Sequence, residues 1–245
     1  MLNSPQTILI TGGTSGIGLS LVRQLHQDGH NIITVARDTA KLEHLADQHP
    51  HLLCYPCDLA SRQHVEELCS NIIEKHADIS VVINNAGVQY TPTFPDAGFH
   101  FDSIEHETRV NFLAPTWMSY LLLPALINKD HPCAIVNISS GLALAPKTSS
   151  AVYCATKAAI HSLSQSLRYQ LKESNVQVME VLLPLVDTPM TAGRGRNKLS
   201  PENAASQIIQ GIKSGKDEIY VGKARLLPLL MRISPSIAKN LLRKH

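Results

Sequence analysis

The stretch Thr7-Ile8-Leu9-Ile10-Thr11-Gly12-Gly13-Thr14-Ser15-Gly16-Ile17-Gly18-Leu19 decides the fold. Four apolar or β-branched residues in a row form a strand buried on both faces, and the glycines follow at once. After them Leu19, Val22 and Leu25 recur at helical spacing. Strand, glycine turn and helix in that order make a tight turn whose backbone N–H groups can approach a pyrophosphate, while the helix packs closely on the sheet. A turn that merely joined two elements would not need glycines at these intervals. The turn residues Gly12, Thr14, Ser15, Gly16, Ile17 and Gly18 are therefore candidate nucleotide contacts.

Outward from this point, strand-like runs alternate with amphipathic segments. Strands are expected at 7–10, 31–35, 51–55, 79–83, 133–138, 176–182 and 218–221, and helices at 16–28, 38–48, 61–76, 105–128, 151–174 and 201–213. This alternation predicts an α/β fold, a doubly wound parallel sheet of seven strands with helices on both faces. Ser200-Pro201-Glu202 supplies a cap and a first-turn proline for the last of these helices. At 245 residues, 44% hydrophobic and 17% charged, the chain suits a single domain over 1–245. A formal charge of +2 gives no field that argues for nucleic acid.

The second strand ends Thr34-Val35-Ala36-Arg37. An NAD site would place an acid there to hold the ribose hydroxyls; an arginine can instead pair with the 2′-phosphate of NADP. Asp58-Leu59 follows the third strand, where adenine is a plausible partner and capping of the next helix an equal alternative. The fourth strand ends Asn84-Asn85-Ala86-Gly87 and the fifth Ser139-Ser140-Gly141, while Tyr153-Cys154-Ala155-Thr156-Lys157 lies on the next helix. With T-G-x-x-x-G-x-G, N-N-A-G and Y-x-x-x-K in order, and a serine 13 residues before the tyrosine, the chain resembles the short-chain dehydrogenase/reductase family over nearly its whole length. The resemblance implies a Rossmann-like sheet in the order 3-2-1-4-5-6-7 and a nicotinamide cofactor. It also implies an Asn111, Ser140, Tyr153, Lys157 tetrad, and cofactor contacts from Asn85, Ala86, Gly87, Tyr153, Lys157, Pro184, Val186 and Thr188.

The chemistry of the four residues fits that expectation. Hydride transfer to a carbonyl leaves charge on oxygen, which must be polarised and protonated. Tyr153 is the candidate acid, and Lys157, one turn away on the same face, is the charge that could lower its pKa. Ser140 would hydrogen-bond the substrate oxygen, and by resemblance Asn111 holds a water linking Lys157 to solvent. After the sixth strand the family's Pro-Gly is replaced by Leu183-Pro184-Leu185-Val186-Asp187-Thr188, and the stretch to Gly195 resembles the DltE-like subgroup of bacterial oxidoreductases. The expected activity is an NADP(H)-dependent interconversion of a carbonyl and a secondary alcohol, NAD(H) remaining possible. The alternative is a nucleotide-sensing or scaffold protein of the same fold. By resemblance a homo-dimer or homo-tetramer is expected.

Three segments could face a substrate or a partner. Tyr90, Phe94, Phe99 and Phe101 crowd one loop, either as an apolar substrate wall or as a plug onto the core or a subunit. A lid is expected at 188–200, where Arg194, Arg196 and Lys198 could meet an anionic substrate or simply face water. From Lys213 to His245, eight Lys and Arg stand against Asp217 and Glu218, a local +6 that leaves −4 on the rest. We read the amphipathic segment 223–245 as packing on its own core or on a partner subunit, with an anionic membrane surface as the alternative.

The remaining features are negative expectations. Five cysteines in a chain with no export signal argue for free thiols and a cytoplasmic address. Cys54 and Cys57 lie on a strand, not at a helix start, so redox chemistry is not expected. The twelve histidines show no ligand spacing, and no metal is expected. The apolar stretch 112–127 carries Pro115 and Pro124 and is too short to span a bilayer.

Overall fold

A computed structural model describes the chain except Asn128, Lys244 and His245, with Leu241 described by its backbone alone. Among the described residues the sheet is parallel throughout and has seven strands in the order β3-β2-β1-β4-β5-β6-β7. These are β1 (Thr7–Thr11), β2 (Asn31–Ala36), β3 (Leu53–Pro56), β4 (Ile79–Asn84), β5 (Cys133–Ser140), β6 (Val176–Leu183) and β7 (Glu218–Tyr220). The expected order is borne out. β3 begins two residues late because Leu52 closes a turn on the His49 carbonyl, and it ends at Pro56 on the sheet edge, where a missing N–H costs no ladder bond.

The period of two in each strand divides its side chains between two cores. Ile8, Ile10, Ala134, Val136 and Ile138 join one; Leu9, Cys133 and Ile135 join the other. On the first face lie α1 (Gly16–Gln27) and α7 (Pro201–Lys213), with Leu21, Val22, Leu25, Ile208 and Ile212 buried. On the second lie α3 (Arg62–Lys75) and α5 (Ala114–Ile127), with Val65, Ile72, Met118, Leu122 and Leu126 buried. Helix α2 is Thr39–Gln48, α4 Phe101–Thr108 and α6 Ala151–Gln170. Ser200 caps α7 by accepting from the Asn203 amide at 3.2 Å, as its sequence signature requires.

The helix expected at 105–128 departs from its sequence reading. It begins at Phe101, and between α4 and α5 it opens into a π turn at Arg109–Leu113, where the Ala114 amide donates to the carbonyl of Arg109. Pro115 explains the widening: it has no N–H for the Asn111 carbonyl, and its ring would crowd that carbonyl in a regular α turn. The earlier start also makes Phe101–Ile127 long and apolar enough to cross a membrane by length and composition; 44% of its most apolar window is buried in the fold. Asn111 and Glu107, 2% exposed each, sit on this helix facing the protein interior.

At the C-terminus, α8 (Leu227–Ile233) and α9 (Pro235–Arg243) follow β7. The segment was expected to pack on its own core or on a partner subunit, and among its described residues Ala224, Leu227 and Ala238 are buried in the core. Leu226, Leu229, Ile233 and Ile237 remain 57–72% exposed. Lys244 and His245, counted in the expected segment, lie outside the described residues.

Candidate active site

The strand order reverses between β1 and β4, and open α/β sheets bind ligands in the crevice beyond the carboxyl ends of such strands. The glycine turn follows β1, and Asn85-Ala86-Gly87 follows β4. The two are stitched together by Thr11. Its hydroxyl accepts from the amides of Asn85 and Ala86, both at 3.0 Å. The Asn85 side chain returns the contact, donating to the carbonyls of Thr11 at 2.9 Å and Gly12 at 3.3 Å. Asn85 thus shapes the turn through its amide. Thr11 escaped the sequence reading, although a threonine closing the strand before the glycines was its signal.

Gly12 has φ +72°, and a Cβ there would lie 3.0 Å from the Ala86 backbone. A methyl on Gly18 would collide with the Gly12 carbonyl. Ser15 precedes α1 in extended conformation without capping the helix, and the first turn holds no acid. Thr14, Ser15, Gly16 and Ile17 are exposed or half-buried at this rim. The glycines thus let the turn and the start of α1 pack closely on their neighbours, and the N–H groups of the first turn of α1 are a donor set that a dinucleotide pyrophosphate fits.

The neighbouring strands put Arg37 and Asp58 at the same edge of the sheet. The Gly12 amide donates to Val35 at 2.7 Å and the Cys57 amide to Ala36 at 3.0 Å. Arg37 is exposed. The acid after it, Asp38, caps α2 by accepting from the Lys41 amide at 3.1 Å. Asp58 is exposed too, and accepts from the Ala60 amide at 3.0 Å. It does not cap α3; Ser61 does, accepting from His64. Leu59 is buried.

The expected tetrad gathers beyond β4 and β5. Lys157, 5% exposed, donates from Nζ to the Ile138 carbonyl at 2.8 Å and stands 5.6 Å from the centre of the Tyr153 ring. Burial lowers its pKa to about 8, against an upward pull from Glu180. Burial pushes the Tyr153 phenol up, Cys154 and Glu107 add to the rise, and Arg194 and a hydrogen bond with Ser140 pull it down. The expectation that Lys157 acidifies the phenol is not what dominates here. The Ser140 hydroxyl also accepts from the Leu142 amide at 3.2 Å. A Cβ on Gly87 would lie 3.3 Å from Asn111 Oδ1 and 3.9 Å from Lys157 Nζ, so the N-N-A-G turn reaches the tetrad.

The Asn111 side chain is fully committed. Its Oδ1 accepts from the Val88 amide at 2.8 Å, and its Nδ2 donates to the Val88 carbonyl at 2.8 Å and to Thr156 Oγ1 at 3.3 Å. It holds the post-β4 turn to the helices, a role that only the tertiary structure displays. Glu107 does similar work one turn earlier, accepting from the Tyr90 amide at 2.7 Å.

The lid expected at 188–200 is a loop with pinned ends. Val186 bridges Leu199, and the Asp187 amide donates to the Leu199 carbonyl at 2.8 Å. Thr188 leads a 3₁₀ turn, Pro189–Thr191, and stands against Gly16, whose added Cβ would lie 3.0 Å from its methyl. Pro184 is half-buried just before. Lys198 is tied to Asp187 at 3.0 Å and to the Thr191 carbonyl at 2.7 Å, which removes it from the cations considered for a substrate. Arg194 donates to the Met190 carbonyl and acts on Tyr153 and Lys147, while Arg196 faces solvent. In the aromatic loop Phe94 stacks on Phe99 at 4.3 Å, yet Phe94 and Phe101 are 65% and 88% exposed, so neither plugs the core.

Elsewhere all five cysteines are free, and burial raises Cys57 to about 11 and Cys69 to about 12, far from reactive thiolates. His161, Glu180 and Glu218 bring possible ligand atoms within 4.8 Å of one another. They come from α6, β6 and β7, so no sequence spacing could reveal them. Arg168 already supplies positive charge, 3.8 Å from Glu180 and 3.7 Å from Glu218, and His161 bonds Glu180 at 2.7 Å.

The family model for short chain dehydrogenases matches residues 6–199. The chain belongs to the short-chain dehydrogenase family. It is an oxidoreductase of that family, 37% identical over 220 residues to an uncharacterized oxidoreductase, DltE, of Bacillus subtilis, covering 87% of this chain and 86% of the relative. It is 30% identical to a fatty acyl-CoA reductase of Acinetobacter baylyi, covering 94% of this chain and 80% of the relative. A crystal structure of a short chain dehydrogenase from Burkholderia cenocepacia, in complex with NADP, superposes with a TM-score of 0.87 over 98% of both chains at 25% identity.

Proposed function

We propose that residues 1–245 act as one NAD(P)-binding unit that reduces an apolar carbonyl compound to its alcohol with NADPH, in a cytoplasmic setting and as a homo-oligomer. The observation that carries the reading is the meeting of Tyr153, Ser140 and Lys157 beside Gly87, on the far side of the same crevice that the glycine turn lines. The cofactor, when bound, supplies the hydride. Gly12, Thr14, Ser15, Gly16, Ile17 and Gly18 would take its pyrophosphate, Asp58 and Leu59 its adenine, and Arg37 a 2′-phosphate. Asn85, Ala86 and Gly87 would line the crevice floor and Pro184 and Thr188 the opposite side, with Val186, buried in the core, meeting the cofactor through its backbone at most.

The residues of this chain then handle the oxygen. Ser140 donates to the carbonyl oxygen and fixes it near Tyr153. With the phenol pushed up by burial, Tyr153 is a neutral acid at physiological pH and gives its proton to the developing alkoxide. Lys157 keeps Nζ donors beyond its bond to Ile138 for a ribose, and its positive charge favours the tyrosinate left behind. Because the Asn111 side chain is occupied, the water-holding role implied by family resemblance falls to its backbone carbonyl, which Pro115 cannot engage. Met190 beside the tetrad, with Leu185 and Met190 both 38% exposed, favours an aliphatic substrate, as does similarity to a fatty acyl-CoA reductase.

The test is a fluorescence titration with NADPH and NADH, followed by reduction assays on aldehydes, ketones and acyl thioesters of increasing chain length. Tighter binding of NADPH and rising kcat/KM with chain length are expected. Binding without turnover of any carbonyl would overturn the enzymatic reading in favour of a nucleotide sensor.

A further inference from the structure

The C-terminal helices leave an apolar stripe that the fold does not cover. Leu229 and Ile233, four residues apart, share one side of α8, and Leu226 precedes that helix as its N-cap residue; the three are 57%, 72% and 60% exposed. Leu227, 7% exposed, points the other way into the protein. The same division repeats in α9, where Ile237 is 61% exposed and Ala238 is 1% exposed. Arg232, Lys239 and Arg243 are exposed along the same segment, while Arg225 is turned back onto the Tyr220 carbonyl and Gln207 Oε1, both at 3.1 Å. Beyond Glu218 the sequence contains no further Asp or Glu.

We propose that α8 and α9 dock on an anionic lipid bilayer, with Leu226, Leu229, Ile233 and Ile237 entering the headgroup boundary and the flanking cations facing acidic headgroups. The charge pattern selects this occupant. A second copy packed on the same face about a two-fold axis would set cations against cations, with no acid in either segment to offset them. A cytoplasmic leaflet carries the opposite sign, and an apolar stripe flanked by Arg and Lys is the form of an interfacial helix.

The position of the pair gives the docking a consequence. Leu227 packs at Gly141, the residue after Ser140; a Cβ on that glycine would be 3.6 Å from both Leu227 methyls. At its far end α9 is clamped to the loop before α6: the Thr148 amide and hydroxyl donate to the Arg243 carbonyl at 3.1 and 3.0 Å. The docked face is thus joined at both ends to the loop between Ser140 and Tyr153, and a bilayer there brings lipid-soluble molecules to the rim of the crevice. The docking itself does not depend on the proposed reaction.

The experiment is co-sedimentation of the full chain with vesicles of phosphatidylcholine alone and with phosphatidylglycerol added. Binding to the anionic vesicles only, falling as salt is raised, is expected. Removing two cations in Arg232→Gln/Lys239→Gln should weaken partition about 25-fold, near fivefold per charge. Leu229→Ser/Ile233→Ser should lose at least about tenfold while circular dichroism and thermal midpoint stay unchanged, since all four positions are exposed. No binding to anionic vesicles, equal binding to neutral ones, or insensitivity to both double variants overturns the proposal. So does an apolar variant that changes the sedimentation mass, which would assign the face to a second copy.

Discussion

Replacing Thr11 by valine keeps the shape of the side chain and removes one oxygen, which makes it a sharp probe of how the nucleotide crevice is held. Thr11 is 2% exposed, and its hydroxyl is the acceptor for two amides at 3.0 Å, those of Asn85 and Ala86. Each stranded donor costs about 1–3 kcal/mol. Both amides belong to half-buried residues, so the low end applies, and the sum is about 2–3 kcal/mol. For a chain of this size that is a fall of about 4–12 °C in thermal midpoint. The Asn85 contacts to Thr11 and Gly12 should loosen with it, so NADPH affinity should drop by more than the stability loss alone explains. Differential scanning fluorimetry with and without NADPH reads both, and Thr11→Ser, which keeps the acceptor, should recover most of each. A Thr11→Val protein with unchanged midpoint and NADPH affinity would refute the claim that this hydroxyl holds the crevice together.

Other outcomes follow from the same geometry. Arg37→Ala should weaken NADPH at least tenfold more than NADH in a fluorescence titration, because only the former carries a 2′-phosphate for the guanidinium. Gly18→Ala should abolish cofactor binding, since its methyl would meet the Gly12 carbonyl; retained binding by calorimetry would contradict the close approach. The lowered pKa of Lys157 makes the unfolded chain bind more protons between about pH 8 and its ordinary 10.5, so the contribution of Lys157 to stability should rise with pH across that window. The buried cysteines and Tyr153, held above their ordinary values, pull the other way as pH rises, so the contribution is read as the difference in thermal midpoint between the cofactor-free wild type and Lys157→Met, which should grow in favour of the wild type across that window.

The sheet order and the place of the crevice were legible because buried parallel strands leave continuous apolar runs and because the glycine turn fixes which strand comes first. The α7 start was equally plain, its cap and proline being local to the chain. What the sequence did not display was set by contacts between distant segments. Asn111 is separated by 23 residues from Val88, whose backbone it satisfies, and Glu180 by 19 from its partner His161. Lys198 looked like a free cation until the lid loop folded back on Asp187. The π turn had a visible cause in Pro115, but a proline alone does not tell whether a helix will break, kink or widen; packing of the flanking turns decides that. The C-terminal stripe was read as facing the core or a partner subunit, and helical periodicity could not choose between them because it identifies an apolar side but not what covers it.

In the proposed reaction Tyr153 gives the proton to a carbonyl oxygen. The direct measurement is the rate of NADPH oxidation by wild-type and Tyr153→Phe protein with the best carbonyl substrate, alongside NADPH affinity for both. A loss of at least about a thousandfold in kcat is expected, with affinity for NADPH unchanged within about twofold, because the phenylalanine keeps the ring beside the cofactor and removes only the hydroxyl that gives the proton. Turnover in the phenylalanine variant within about tenfold of wild type would contradict it.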